Sequence, residues 1–243
     1  MSVRTEISKY ILKEYGSWGV LVISFLTGFL AGFPAAKTSW EWGGLKSMLA
    51  LIALSLFVNS KQAFTWWLRR ADSKGAGIFM VQVFLASLLL LAVFGNTVLR
   101  LLPYVPVPVV YILLLKSAGE HAITTEIAGF ATLTLSALIA HCAVSGEVDS
   151  RLYIAAAVFF TAGVFKVKVY LRKRALERIS MVLYVFFAFA IYYAIKVPAV
   201  VLFPLVDNII FSLTLYNIKL RAAGWIEVLK GIAFLVLLKL NYG

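Results

Sequence analysis

The chain is 243 residues long, 62% of its residues are hydrophobic, only 14% are charged, and its formal net charge is +12. A soluble domain is about half apolar and about a quarter charged, so this composition excludes an ordinary soluble globular protein and indicates an integral membrane protein. The basic excess is typical of the cytoplasmic segments of membrane proteins, so we expect no nucleic-acid partner, and the single cysteine excludes an internal disulfide framework.

Nine apolar segments approach the length of about 20 residues that a helix needs to cross the hydrocarbon core. The fourth is short and opens among three prolines, and the eighth is interrupted by Pro204 and by Asp207. The sequence therefore predicts an all-α fold, a polytopic membrane bundle of nine transmembrane helices that forms one domain over residues 1–243. The predicted spans are 18–36, 43–59, 77–97, 102–118, 122–145, 152–171, 179–197, 198–218 and 224–240.

Basic residues are much more frequent in alternate connections between these spans, and this bias sets the orientation of a membrane protein. It predicts a cytoplasmic N-terminus and an external C-terminus, and we expect a multi-pass protein of a prokaryotic plasma membrane. Because the connections are short, neighbouring helices should pack antiparallel. The few basic residues predicted to lie outside are Lys37, Lys46, Arg100, Arg151, Lys196 and Lys239.

The segment KEYGSWG, residues 13–19, lies at the cytoplasmic mouth of the first span and contains Lys13, Glu14 and Tyr15. Aromatic and lysine side chains at this depth are typical of interfacial anchors. An acid gains nothing beside an anionic leaflet, so Glu14 also favours a site-lining role. Further along the same span, Gly28 and Gly32 have the GxxxG spacing that permits close helix packing.

The second polar segment is FVNSKQAFTWWLRRADSKG, residues 57–75, and it carries Asn59, Lys61, Arg69 and Arg70. As a helix it places Lys61 and Arg69 on one face, which is typical of an amphipathic interfacial helix. The alternative interpretation is an anion-binding clamp, because Lys and Arg suit the geometry of phosphate.

The third segment joins the fourth and fifth spans and contains Glu120, His121 and Glu126. Glu126 is either an acid in a first helical turn, where the helix dipole favours it, or a functional carboxylate. His121 has no second His or Cys at a ligand spacing, so no metal site is predicted.

The fourth segment is the inner end of the sixth span, where Lys166 and Lys168 precede the basic cluster that begins at Arg172. The cluster is typical of a cytoplasmic anchor, whereas the two lysines are better candidates for binding an anionic group. Glu227 and Lys230, three residues apart in the ninth span, can pair on one helix face. The motifs of ATPases and soluble hydrolases are absent from the sequence.

The opening KEYGSWG and the LVISFLTGFLAG that follows resemble the start of the YwiC-like family, with Tyr15 in place of a histidine. SKQAFTWWLRR, TTEIAGFATLTLSA, VYLRKRALER and AAGWIEVLKGIAFLVLLK are also similar, so the resemblance spans nearly the whole chain. That family in turn resembles the UbiA superfamily of intramembrane prenyltransferases. The resemblance implies a nine-helix bundle around an apolar cavity that opens towards the cytoplasm and the lipid.

In the UbiA-like enzymes, Asp-rich motifs after the second and sixth helices hold Mg²⁺ against a prenyl diphosphate. This sequence has NSKQAFTWW, in which only Asn59 matches the enzyme motif, and FKVKVYLRK, which has no Asp. Because a hard divalent cation needs carboxylate oxygens and lysines repel it, we expect neither Mg²⁺ nor another cofactor.

These features favour a protein that binds an amphipathic anionic lipid, such as an isoprenoid phosphate or quinone precursor, with membrane lipids as its partners. It could be a metal-independent or degenerate prenyltransferase, and no catalytic residue is predicted. Two alternatives are a small-solute permease that titrates Glu14, Glu126 and Asp207, and a non-catalytic partner of another membrane protein. The predicted ligand-binding residues are Lys13, Glu14, Tyr15, Asn59, Lys61, Arg69, Arg70, Glu126, Lys166, Lys168 and Arg172.

Overall fold

The computed structural model describes residues 10, 12, 14–33, 40–216 and 219–242, and the regular structure of these residues is entirely helical. Two 3₁₀ segments, Gly95–Tyr104 and Ala199–Leu205, precede α4 and α8. The α-helices in the described part of the chain are α1 (Tyr15–Gly32), α2 (Trp40–Arg70), α3 (Ser73–Phe94), α4 (Pro106–Ser117), α5 (Ile123–Ser145), α6 (Ser150–Arg172), α7 (Ala175–Ala194), α8 (Val206–Thr214) and α9 (Leu220–Asn241).

Each predicted span overlaps one of these α-helices, but only six described helical segments are long and apolar enough to cross a membrane. The protein is therefore a multi-pass membrane protein, while the count of nine spans is not confirmed. The fourth and eighth predicted spans are each divided between a 3₁₀ and a short α segment, with Pro103 and Pro204 inside the 3₁₀ parts. Helix α9 is long enough but carries Glu227, Lys230 and Lys239.

The second span was predicted to end at Asn59 and to be followed by an interfacial helix, whereas α2 continues through both segments to Arg70. The reason lies in the sequence, because residues 59–70 contain neither Gly nor Pro to interrupt the helix. The chain turns at Ala71, which has a φ of 49°. Asp72 then caps α3 by accepting a hydrogen bond from the Lys74 N–H at 3.1 Å.

Helix α5 is central to the bundle, because α1, α2, α4 and α6 all pack against it. Its contact with α1 is especially close at the GxxxG spacing: a Cβ atom at Gly28 would overlap the Ala137 backbone, and one at Gly32 would lie 3.1 Å from the His141 carbonyl oxygen. The buried Ser136 hydroxyl donates across the same contact to the Leu21 carbonyl at 3.0 Å. Glycine thus allows the two backbones to approach each other, as the spacing predicts.

Side-chain contacts bring the predicted cytoplasmic connections together at one end of the bundle, here called the charged end. Tyr10, ahead of α1, donates to Asp72 between α2 and α3 at 2.7 Å. Lys168 near the end of α6 donates to the His121 carbonyl, between α4 and α5, at 3.0 Å. The antiparallel packing expected from the short connections accounts for this convergence.

The other end of the bundle, here called the opposite end, joins the predicted external connections. Tyr104 and Ser150 form a hydrogen bond of 2.5 Å between the first 3₁₀ segment and α6. Tyr242, after α9, donates to the Asp149 carboxylate at 2.6 Å. The two ends therefore hold different sets of polar side chains.

Candidate functional site

The Lys61 cluster consists of Glu14, Lys61, Arg69 and Glu120 and lies at the charged end. The Lys61 ammonium lies 2.8 Å from Glu14 Oε1 and 3.1 Å from Glu120 Oε1. The Arg69 guanidinium lies 2.9 Å from Glu120 Oε2. Two acids thus balance two bases, and the cluster connects the start of α1, the C-terminal half of α2 and the α4–α5 connection.

Glu120 lies in a connection outside the membrane-spanning helices. Partial burial alone would raise the pKa of its carboxyl, but the charges of Lys61 and Arg69 lower that pKa below its ordinary value. Glu120 therefore remains ionised at neutral pH and keeps both bases in place.

The segment before α1 is held by backbone contacts as well as by charge. Asn59 Oδ1 accepts a hydrogen bond from the Leu12 N–H at 2.9 Å, and Trp18 Nε1 donates to the Leu12 carbonyl at 3.2 Å. Glu14 accepts from Ser17 at 2.9 Å in addition to binding Lys61. Asn59 and Trp18 thus anchor the chain, while Glu14 belongs to the Lys61 cluster.

Tyr15, Arg70 and Arg172 are three further predicted residues, and they lie apart from that cluster. Tyr15 has 90% of its surface exposed, and Lys13 lies outside the described residues. The Arg70 guanidinium stacks 4.1 Å from the ring centroid of Trp66, which is a cation–π contact at the surface of α2. Arg172 pairs with Glu177 at 3.3 Å across the corner between α6 and α7.

Lys168 forms a separate ion pair with Glu126. Its ammonium lies 2.8 Å from Glu126 Oε1, and it also donates to the His121 carbonyl. Glu126 lies in the first turn of α5, and Ala122 at the N-cap provides no side-chain hydrogen bond. Glu126 therefore has both a favourable position in the helix dipole and a basic partner on another helix.

The Lys166 cluster consists of Lys166, Asp207, Glu227 and Lys230 and connects α6, α8 and α9. Lys166 lies 2.5 Å from Asp207 and 2.8 Å from Glu227, and Lys230 lies 2.8 Å from the same Glu227 oxygen. Tyr216 donates to Asp207 at 2.8 Å. Lys166 and Lys168 join different clusters because residues two apart on a helix point in nearly opposite directions.

The Lys166 cluster lies against α6, one of the six helices long and apolar enough to cross a membrane. Lys166 precedes the end of α6 by six residues, or about 9 Å at a rise of about 1.5 Å per residue. Beside it, Lys230 donates to the Asn208 side-chain oxygen. The Asn208 Nδ2 and Ser212 Oγ atoms are buried and have no partner in the described part of the chain. The site therefore has unused hydrogen-bonding capacity next to a set of buried charges.

Acids and lysines in these clusters differ systematically in exposure. The carboxylate side chains of Glu14, Glu120, Glu126, Asp207 and Glu227 remain 22–44% exposed. The four lysine side chains with which they pair are only 4–19% exposed. The acids therefore lie closer to the molecular surface than the lysines with which they pair.

This layout differs from the predicted anion site in one important respect. Lys61, Lys166, Lys168 and Arg69 do come together at one end of the bundle, but each already contacts a carboxylate. The predicted ligand-binding residues did not include Glu120, Asp207, Glu227 and Lys230. Ionisable residues inside predicted spans were the signal that could have identified the last three.

No group of three or more His, Cys, Asp or Glu side chains in the described ranges could hold a metal ion. The acids of both clusters instead contact ammonium or guanidinium groups. That the protein uses no metal cofactor stays a prediction.

The fold and these clusters define a multi-pass helical membrane protein with ion-paired charges at one end. Residues 11–141, more than half of the chain, match the family described as YwiC-like protein, and the chain belongs to that family. No curated protein and no solved structure matches the chain. The relationship to the UbiA superfamily stays a prediction.

Proposed function

We propose that this YwiC-like protein is a permease in which protonation of carboxylates at the charged end is coupled to movement of a small solute. The observation that carries the proposal is the layered arrangement of charge, with acids towards the surface and lysines buried behind them. Ionisable groups inside a membrane domain are expensive and commonly mark solute or proton pathways. A cytoplasmic location of the charged end, in a prokaryotic plasma membrane, is part of the proposal.

The Lys166 cluster offers a coupling step. When a proton neutralises Asp207 or Glu227, the positive charges of Lys166 and Lys230 are no longer fully balanced. An unbalanced ammonium in a medium of low dielectric is strongly disfavoured, so protonation favours a rearrangement that gives the lysines a new partner or water. The protein then has two states whose balance depends on the proton and on the solute.

Helix α8 is the element that this rearrangement would move. It has only nine residues, carries Asp207 in its first turn, and follows a 3₁₀ segment that contains Pro204. Interrupted helices of this kind contribute to binding sites in many transporters, because their ends leave backbone groups available. The buried, unpartnered Asn208 and Ser212 atoms lie on the same short helix.

A transport assay in proteoliposomes tests this function. The purified full chain is reconstituted, a pH gradient is imposed, and uptake of a panel of radiolabelled cations, amino acids and carboxylates is measured. We expect gradient-dependent uptake of at least one solute, its loss in Asp207→Asn, and its retention in Glu177→Gln, which changes an acid at the α6–α7 corner. Circular dichroism and gel filtration establish that the Asp207→Asn variant is folded.

Two results would overturn the permease proposal. One is the absence of gradient-dependent uptake for every solute in the panel. The other is uptake by folded Asp207→Asn at the rate of the wild-type protein.

Binding of an anionic lipid such as an isoprenoid phosphate, within a UbiA-like bundle, is the second candidate function. It is supported by the exposed guanidinium of Arg69, which is 62% exposed, and by Arg70 stacked on Trp66 at the same end. The lysines behind them are neutralised, so a phosphate would have to displace a carboxylate. Native mass spectrometry with farnesyl phosphate, with and without EDTA, tests this candidate, and the absence of a complex in both conditions removes it.

A further inference from the structure

A cavity of about 210 Å³ lies at the opposite end, remote along the helices from both charged clusters. It is partly open and is lined by α2, the end of α3, the first 3₁₀ segment, the C-terminal end of α5 and the α5–α6 connection. Its polar lining residues are Lys46, Thr97, Arg100, Cys142, Ser145 and Glu147.

Lys46 differs from the other partly or fully buried basic residues. Lys61, Lys166, Lys168 and Lys230 each contact a carboxylate, and Arg178 donates to two backbone carbonyls. Lys46 is partly buried. Among the partly or fully buried lysines and arginines that the structure describes, it alone contacts neither a carboxylate nor a carbonyl group. An unpaired ammonium at the wall of a membrane bundle is disfavoured, which indicates that a compensating charge is supplied from outside.

A second basic residue faces the same cavity. Arg100 is contributed by the 3₁₀ segment between α3 and α4 and likewise has no acidic partner within the described ranges. Glu147 belongs to the lining as well, so the described lining contains two basic residues and one acidic residue and has a positive formal charge. Arg and Lys together are the usual protein ligands of phosphate and sulfate, and Thr97 adds a hydroxyl.

We infer that this cavity binds an oxyanion of the phosphate or sulfate type, either free or as the headgroup of a lipid. Its volume is below the range of about 300–1,000 Å³ that is typical of sites for drug-sized ligands, so it suits a small headgroup and not a lipid tail. The site is independent of the proposed transport function, because it uses none of the residues at the charged end.

The chain contains one cysteine, Cys142, which is buried and lines this cavity, so its alkylation requires the cavity to open and reports on the site without background. The purified full chain in dodecylmaltoside is titrated with inorganic phosphate at constant ionic strength, and the rate of Cys142 modification by N-ethylmaleimide is followed. Binding of labelled phosphate is measured by equilibrium dialysis. We expect phosphate to bind and to slow alkylation.

Variants assign the binding to the two basic residues. Lys46→Gln and Arg100→Gln should each weaken phosphate affinity by about tenfold or more, because each removes a charge-assisted hydrogen bond. Lys46→Arg should retain binding, which also shows that the position tolerates substitution. The matched control is Lys196→Gln, which removes an exposed lysine predicted to lie on the same side of the membrane and should bind phosphate as the wild type does.

Nanodiscs distinguish the two sources of the anion. Slower alkylation in phosphatidylglycerol than in phosphatidylcholine nanodiscs, without added phosphate, supports a lipid headgroup. Slower alkylation on adding phosphate to phosphatidylcholine nanodiscs supports a free anion. Alkylation that is unchanged in every condition, or an equal loss of binding in Lys46→Gln and Lys196→Gln, overturns the inference.

Discussion

Basic side chains differ between the two ends of the bundle in whether they contact carboxylates. At the charged end, Lys61 and Lys166 each contact two carboxylates from other parts of the bundle. At the opposite end, Lys46 and Arg100 line a cavity together with Glu147, and neither base forms an ion pair with a described residue. The comparison shows that the role of a lysine in a membrane helix is set by the helices that surround it.

Loss of Lys166 should have the largest effect on stability. Lys166→Met leaves Asp207 and Glu227 sharing the single charge of Lys230, and breaking a buried ion pair on one side costs about 3–5 kcal/mol. Denaturant unfolding of the purified protein in detergent measures the loss. The control is Lys173→Met, at an exposed position just beyond α6, and an equal loss in both variants would contradict the prediction.

A methyl group at Gly28 should have the next largest effect, because it would overlap the Ala137 backbone and force α1 away from α5. Overpacking of this kind destabilises by about 1–3 kcal/mol. The matched control is Gly19→Ala in the same helix, where a new Cβ meets no atom within 4 Å. Thermal unfolding of both variants measures the difference, and equal midpoints would show that the contact is not tight.

Replacement of Lys46 directly tests the comparison between the ends. Lys46→Met removes a base that has no acidic partner in the described structure, so in phosphate-free buffer and detergent it should be neutral or stabilising by about 1 kcal/mol. The same unfolding experiment as for Lys166→Met measures it. Comparable destabilisation by the two substitutions would mean that the ends do not differ in this way.

The smallest effect concerns the pH dependence of the Lys61 cluster. The pKa of Glu120 is lower in the folded protein than its ordinary value of 4.5. The ionised carboxylate therefore contributes to the free energy of unfolding above pH 4.5, and this contribution is lost as the pH falls through the folded pKa. Because the pair is partly exposed, the contribution should be below about 1 kcal/mol. Thermal unfolding should show Glu120→Gln less stable than wild type at pH 7, with the difference vanishing in acid, and a constant difference would contradict the assignment.

The positions of the helices could be predicted from the sequence because long apolar runs and short connections determine them locally. The predicted fifth span, 122–145, and α5, Ile123–Ser145, differ by one residue. The second span was predicted to end at Asn59, where polar residues begin, whereas α2 continues to Arg70 because nothing there interrupts its hydrogen bonding. Polarity signals where a helix leaves the membrane and not where it ends.

Partners in the charged clusters could not be predicted in the same way. Whether Lys166 or Lys168 meets a given acid depends on how α6 is rotated relative to α5, α8 and α9. Asp207 and Glu227 lie far from Lys166 along the chain, and no local pattern relates their positions. The sequence therefore identified most of the basic residues of the site and two of the acids that pair with them, Glu14 and Glu126, but not Glu120, Asp207 and Glu227.

The continuity of α2 has a mechanical consequence. Its 31 residues extend about 46 Å at about 1.5 Å per residue, well beyond a hydrocarbon core of about 30 Å. Lys46 and Lys61 both lie on α2, fifteen residues and about 22 Å apart along its axis. At a rotation of about 100° per residue, their side chains leave the helix about 60° apart around that axis. Because α2 is continuous, a rotation of the helix about its axis or a shift along it moves Lys46 and Lys61 together.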